Sequence, residues 1–481
     1  MRRTHSRRSL LAGLAALSGA LLAACAAPAP APTSTPAPSK PAASEKPTAE
    51  PRPESTKPAT APQAAAPAAA KSGATLRYHA RTGSEADTLA DRLPEFTQRT
   101  GVEVKAETFP GGEYYQKMQA LIAGGQLGDV FWGALGIGWP IWGATGVMRP
   151  LDDFVQQEKF DTTNYYKVAI DQLYYQGKLY GLPFKLQPAQ VGLYYNADQV
   201  KEAGVKEPSL SMTYDDLVEI SKGLTKRSGT RVDRFGFLPY WAGQADVQGG
   251  WYIATVYARA WGAELMDEEG RKSLVTEPKF KEAIKWLHDL VFQHKAAPSY
   301  KEVPNNDPDQ MFVAASGAMF QSGSWTKSVP TRVKDKFQVK DTLMPKGPSG
   351  NRGGFAVADM IGINAKTQYP KEAWELTKHL TDKETGIRLG EGRGGASGTS
   401  GGRTDVFRDD RLMKNPLHPV WIEAVENAPG PRYTANFRTQ EYNTALWQKL
   451  IALFIGDEAF SDTFFQELNQ ALQQVLDQPK P

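Results

Sequence analysis

Thr75-Leu76-Arg77-Tyr78-His79-Ala80, followed by Leu89, Leu93 and Phe96 and then by Val102 to Thr108, is the stretch on which the fold turns. The first six residues have strand composition, the three apolar residues after them recur at helical spacing, and Val102 to Thr108 returns to strand. Tyr114 to Ala123, with Met118, Leu121 and Ile122, repeats the helical pattern, and Asp129-Val130-Phe131-Trp132 is a third short strand. Strands alternating with helices at this spacing predict βαβ units and a mainly parallel sheet, hence an α/β fold.

Downstream the theme continues with more helix. Lys178 to Pro183, Val191 to Tyr195, Gly317 to Phe320 and Phe355 to Asn364 read as strands. Thr213 with Asp216 three residues on predicts a capping box that opens a helix running to Leu224. Phe280, Ala283, Ile284, Leu287, Leu290 and Val291 form a helical stripe, and Trp374–Leu380, Val420–Glu426, Ala445–Phe454 and Phe464–Leu476 are amphipathic. Gly390 to Gly402 is glycine-rich but lacks the Lys-Ser/Thr ending of a phosphate loop, so it reads as a surface connection.

Upstream the character changes. Ala26 to Ser72 holds twelve of the 34 prolines and no valine, leucine, isoleucine, methionine or aromatic residue. Such a segment has nothing with which to build a core, and is expected to act as a tether with a reach on the order of 40 Å. Before it, Arg2, Arg3, Arg7 and Arg8 precede an apolar run, Leu10 to Ala24. That run is shorter than the ~20 residues a membrane-spanning helix needs, so a cleaved export signal over residues 1–24 is expected. Leu22-Ala23-Ala24-Cys25 closes the run on the chain's one cysteine and resembles the bacterial lipobox. The resemblance implies that Cys25 is lipidated and that residues 25–72 tie an exported body to the bacterial cell membrane, facing outside. Ser6-Arg7-Arg8-Ser9-Leu10-Leu11 also resembles a twin-arginine signal, which leaves the export route open.

Composition then removes several function classes. The formal charge of +3 owes four cations to the export segment; without it 52 basic residues face 53 acidic ones, a net charge of −1. Nucleic-acid binding, which needs a basic surface, is not expected. One cysteine excludes disulfides within the chain, and six histidines without metal-ligand spacing predict neither a metal site nor a cofactor.

From Gly73 onward a series of short motifs follows in a distinctive order. They are Met118 to Gly125 with Gly128-Asp129-Val130, Gly146-Val147-Met148-Arg149-Pro150-Leu151-Asp152-Asp153, and Gly177-Lys178-Leu179-Tyr180-Gly181-Leu182-Pro183. They continue with Gly192-Leu193-Tyr194-Tyr195-Asn196, Gly317-Ala318-Met319-Phe320 with Gly323-Ser324-Trp325, and Gly353-Gly354-Phe355 through Asn364. The helix from Lys371 to Leu380 completes the series, whose order resembles the extracellular solute-binding proteins of ABC importers, in particular the sugar-type family that includes maltodextrin binders. Lys185 and Gln187 depart from it, standing where the family usually has small residues.

The resemblance implies a periplasmic-binding-protein-like fold of type II: two discontinuous α/β lobes, joined by a hinge, with the ligand in the cleft between them. One lobe is expected from 73–186 plus about 358–402, the other from 187–357 plus about 403–481, with crossings near Lys185, near Ala358 and between Gly390 and Arg432. It also implies a monomer that delivers its solute to ABC permease subunits in the membrane, with no reaction catalysed.

A sugar offers C–H faces and hydroxyl rims, so its cleft needs aromatic plates and a few planar polar groups. Trp132, Trp325, and Tyr240 with Trp241 match stacking positions in the maltodextrin-binding pattern and are the expected ligand contacts. Alanine at Trp132 or Trp325 is expected to weaken binding and leave unfolding without ligand nearly unchanged. Arg81 after the first strand, Glu113, Lys185 and Arg393 are the polar candidates, with helix capping as the plainer role for Glu113. Asp129 is expected to shape backbone instead. Trp286, Trp374 and Trp447, inside helical stripes, are expected in the core; for Trp139 and Trp142, cleft rim and core are both open. Two alternatives stand beside sugar capture. One is another solute, a polyamine or a polyol phosphate; a carboxylate-lined cleft would mark a cationic cargo and an arginine-lined one an anionic cargo. The other is a surface glycoside hydrolase, which would need two carboxylates roughly 5–9.5 Å apart.

Overall fold

Leu76, Tyr78 and Ala80 bury one side of the first strand, β1 (Thr75–Arg81), while on the other side His79 is buried between the half-buried Arg77 and Arg81. This computed structural model describes residues 73–110, 113–133, 139–189, 191–240, 247–303, 308–393 and 399–481. The export segment, Cys25, the proline-rich stretch and Trp241 lie outside the described residues. After β1 come β2 (Glu103–Phe109), β3 (Val130–Gly133) and a small hairpin of β4 (Tyr174–Tyr175) and β5 (Lys178–Leu179). The remaining strands are β6 (Gly181–Ala189), β7 (Gly192–Asn196), β8 (Lys226–Ser228), β9 (Arg231–Leu238), β10 (Gly317–Ser322), β11 (Val339–Leu343) and β12 (Phe355–Ile363).

Two five-stranded sheets result, one in each lobe. The first has the order β2-β1-β3-β12-β6, the second β11-β7-β10-β9-β8. In the first, β1 pairs parallel with β2, from Thr75 opposite Glu103 to Arg81 opposite Phe109, and parallel with β3. The parallel arrangement expected from sequence stops there. Strand β12 runs antiparallel to both β3 and β6, because it returns from the second lobe rather than through a βαβ crossover. In the second sheet only β9 and β10 are parallel.

The chain changes sheet between Ala189 and Gly192, and again between Leu343 and Phe355. The helix Pro419–Asn427 touches strands of both sheets, β6 and β11. Beyond it, Thr439–Ile455 packs on Val247–Trp261 and on Asp462–Leu476, in the second lobe.

Local chemistry accounts for the helices that position these sheets. Thr213 and Asp216 form the expected box: the Asp216 amide donates to the Thr213 hydroxyl at 3.0 Å, and the Thr213 amide to the Asp216 carboxylate at 2.8 Å. Val247–Trp261 escaped the sequence reading because every residue from Ile253 to Trp261 is buried, so no polar face gives it a stripe. Trp374 stacks on Phe154 at 5.4 Å, Trp447 meets Tyr300 edge-on at 5.4 Å, and Trp286 packs among Tyr214, Tyr257 and Trp261.

Candidate functional site

Ligands of α/β proteins gather at the carboxyl ends of strands, and four of the residues singled out by sequence stand at such ends. In the first lobe Arg81 closes β1 and Trp132 lies one residue before the end of β3. In the second, Tyr240 follows β9 and Trp325 follows β10.

Around Trp132 the residues are tightly arranged. Strand alternation sends Phe131 to one face, edge-on to Trp142 at 5.7 Å, and Trp132 to the other, edge-on to Phe184 at 4.8 Å. The Tyr114 hydroxyl donates to the Trp132 carbonyl at 2.7 Å, pinning the strand to the helix Tyr114–Ala123. The indole N–H of Trp132 donates to an Asp359 Oδ2 at 2.9 Å. That same oxygen lies 3.1 Å from the Lys185 ammonium, which also donates to Glu85 at 2.6 Å. Lys185 and Asp359 face each other in register across β6 and β12, at an irregularity between Asp359 and Met360. The Lys185 ammonium lies 5.0 Å and the Arg81 guanidinium 5.1 Å from the Trp132 ring centroid. Burial pushes the Glu85 carboxyl up, but the charge and hydrogen bond of Lys185, with the field of Arg81, outweigh this and hold it below the usual range.

Trp132 is only 1 % exposed. The expectation that its truncation leaves stability untouched therefore gives way: this ring packs as core while holding two cations.

The second lobe presents its aromatics differently. Gly323 lets the chain turn back so that the Trp325 ring lies over it; a Cβ there would sit 2.1 Å from the ring. The Tyr194 and Thr326 hydroxyls both donate to the Gly323 carbonyl, at 3.3 and 2.6 Å, and fix the turn. Trp325 is partly buried, with Tyr240 edge-on at 6.3 Å, and its turn, Ser324–Ser328, packs against β6. The strand that carries Lys185 thus meets the turn that carries Trp325.

The other candidates are more peripheral. Glu113 occupies the N-cap of Tyr114–Ala123, exposed, and its side chain makes no capping bond. Arg393 is exposed and pairs with Asp91 at 3.3 Å and Asp87 at 3.6 Å, on the helix Ser84–Thr100. Trp139 and Trp142 are buried in the short helix Trp139–Ala144. Asp129 accepts from the Arg77 amide at 2.9 Å and the Thr367 hydroxyl at 2.6 Å, joining β1 to the turn after β12.

Sequence reasoning missed Glu85, Asp359, Tyr252 and Tyr433. Asp359 carried a signal, a lone carboxylate in the otherwise apolar run from Phe355 to Ile363. Tyr252 stands 5.2 Å from Phe355, at the start of β12. Burial raises the Tyr433 hydroxyl well above its usual pKa, and the neighbouring Tyr252 and Asp359 add to the effect. Tyr433 also lines a cavity of about 850 Å³ with Trp139, Tyr166, Tyr175 and Phe437. That cavity adjoins the cluster of Ala169, Ala356 and Ala358, the face of β12 opposite to Phe355 and Asp359.

Residues 81–387 match the family model described as bacterial extracellular solute-binding protein. A protein of Brucella abortus named only as a binding protein is 22 % identical over 322 residues, 66 % of this chain and 73 % of its own. The multiple sugar-binding protein of Streptococcus mutans is 23 % identical over 263 residues, 54 % of this chain and 61 % of its own. Among solved structures, the GacH receptor of Streptomyces glaucescens, studied with acarbose, superposes with a TM-score of 0.70 at 19 % identity, covering 85 % of this chain and 99 % of that one. At that identity the superposition speaks to the fold, which is of the type II, two-lobed periplasmic-binding-protein kind.

Proposed function

This chain belongs to the bacterial extracellular solute-binding protein family, and from that premise we propose that it captures a carbohydrate for an ABC importer. The partly open aromatic pair beyond two strand ends of the second lobe, Trp325 with Tyr240, carries this reading. The Trp325 ring offers the flat apolar surface that a pyranose face covers, and the partly exposed Arg81 of the other lobe offers donors for its hydroxyls. The printed names of relatives agree with it, one being a multiple sugar-binding protein and another a lactose-binding protein.

The rest of the mechanism follows from two lobes. Ligand touching both favours the closed form only through contacts that the open form lacks. The closed body is what permease subunits would accept, with transport energy supplied elsewhere. We assign residues 73–189 with 355 to about 402 to one lobe and 192–343 with about 403–481 to the other, moving the breaks expected at 186 and 357 to where the chain changes sheet. We also propose a lipid anchor at Cys25 and a monomeric body.

A thermal-shift screen against a glycan library tests the proposal. A bound glycan at a thousand times its dissociation constant stabilises by about 4.1 kcal/mol and should raise the melting temperature by several degrees. A library without one stabilising glycan would refute it.

A further inference from the structure

Two cations share the Trp132 ring, and both nearby carboxylates are engaged with one of them. Lys185 holds Glu85 at 2.6 Å and Asp359 at 3.1 Å, and Asp359 also takes the indole N–H. The Arg81 side chain makes no hydrogen bond or ion pair with any described residue; it feels Glu85 through space and rests on the Trp132 ring at 5.1 Å. Its Nε is sealed from solvent and without a partner, while the side chain as a whole is only partly buried.

A buried donor left unbonded is costly, and a guanidinium needs planar oxygen partners to satisfy its fork. Stacking on an indole keeps that fork in one orientation and leaves its edge free. It stands at the end of β1, on the side where ligands of such sheets gather. Glu85 and Asp359 turn one oxygen each to Lys185, and neither carboxylate comes within bonding distance of the Arg81 guanidinium. Among the described residues no group completes this arrangement, and a ligand's oxygens would.

We propose that the carbohydrate taken by this cleft is acidic, and that Arg81 receives its carboxylate or phosphate group. The inference rests on the carbohydrate reading above and deepens it. Lys185, Glu85 and Asp359 then serve as positioning residues, holding the Trp132 plate on which Arg81 lies.

The test uses a panel of mono- to tetrasaccharides in which each neutral glycan is matched by its uronate and its 6-phosphate. Binding is measured calorimetrically for the unaltered protein, Arg81→Gln and Arg81→Lys. The proposal expects an acidic member to bind at least tenfold more tightly than its neutral counterpart, with the uronate or the phosphate series identifying the anion. Arg81→Gln should lower that affinity by about a hundredfold, the loss of two charge-assisted hydrogen bonds, and bring it level with the neutral glycan. Arg81→Lys should recover part of the preference, since charge remains and the fork is lost. Both variants should unfold, without ligand, close to the unaltered protein, because the Arg81 side chain bonds to no described residue. A neutral glycan bound as tightly as its acidic partners, with Arg81→Gln unaffected, overturns the proposal and leaves carbohydrate capture standing. A panel in which nothing binds overturns both.

Discussion

Trp132 and Trp325 look alike in sequence, each on a glycine-flanked strand end, yet their surroundings separate them. Trp132 is enclosed by Phe184, Asp359, Lys185 and Arg81, whereas Trp325 is partly open beside Tyr240. Trp132→Ala should therefore destabilise the ligand-free protein by about 3–5 kcal/mol, the range for deleting a buried aromatic, read from chemical denaturation. Trp325→Ala should leave unfolding little changed and weaken glycan binding by about thirtyfold or more, as loss of an interface hot spot does; titration calorimetry distinguishes the two. A third residue gives a pH signature. Burial and the adjacent Lys327 depress the His418 imidazole to about 4, while its Nε2–H bonds the Phe407 carbonyl at 2.7 Å. In the unfolded chain it titrates near 6.5. Between those values the unfolded state binds the extra proton, so this stability is full above about pH 6.5 and is lost as the pH falls towards 4, on the order of 3 kcal/mol. Comparing unfolding free energies at pH 7 and 4.5, His418→Gln should show a smaller drop than the unaltered protein; equal drops would refute the assignment.

At the scale of elements, the connections between sheets govern how the lobes can sit. Gly353, in the passage from β11 to β12, has φ +82°, and a Cβ there would lie 1.8 Å from the Val256 carbonyl oxygen. Gly353→Ala thus meets both backbone strain and a fixed neighbour, and should cost about 3 kcal/mol or more, visible as a lowered denaturation midpoint. Glycine in this sequence already marked the passage, and so did the strand from Phe355. Other elements were less legible for definable reasons. The helix Val247–Trp261 shows no stripe because its stretch from Ile253 to Trp261 is buried on every side, and β11, Val-Lys-Asp-Thr-Leu, carries too many polar residues to stand out. The direction of β12 could not be read locally at all, because it depends on where the chain has been since β6.

The whole molecule was the most legible level, since the two-lobed architecture follows from motif order across most of the chain. The candidate site was only half legible. The family resemblance and strand-end positions named Arg81, Trp132, Tyr240 and Trp325, and Lys185 stood out as a departure from the family pattern, but the carboxylates around them, Glu85 and Asp359, come from a helix start and from a strand more than 200 residues from Trp132. Only packing makes them neighbours. What those neighbours do together is decided by one calorimetric titration with the best-stabilising glycan, with the sugar recovered afterwards and analysed. Our account predicts saturable binding at one glycan per chain, at least thirtyfold weaker in Trp325→Ala, and the glycan returned intact. Cleaved product, or an affinity that ignores the loss of Trp325, would contradict it.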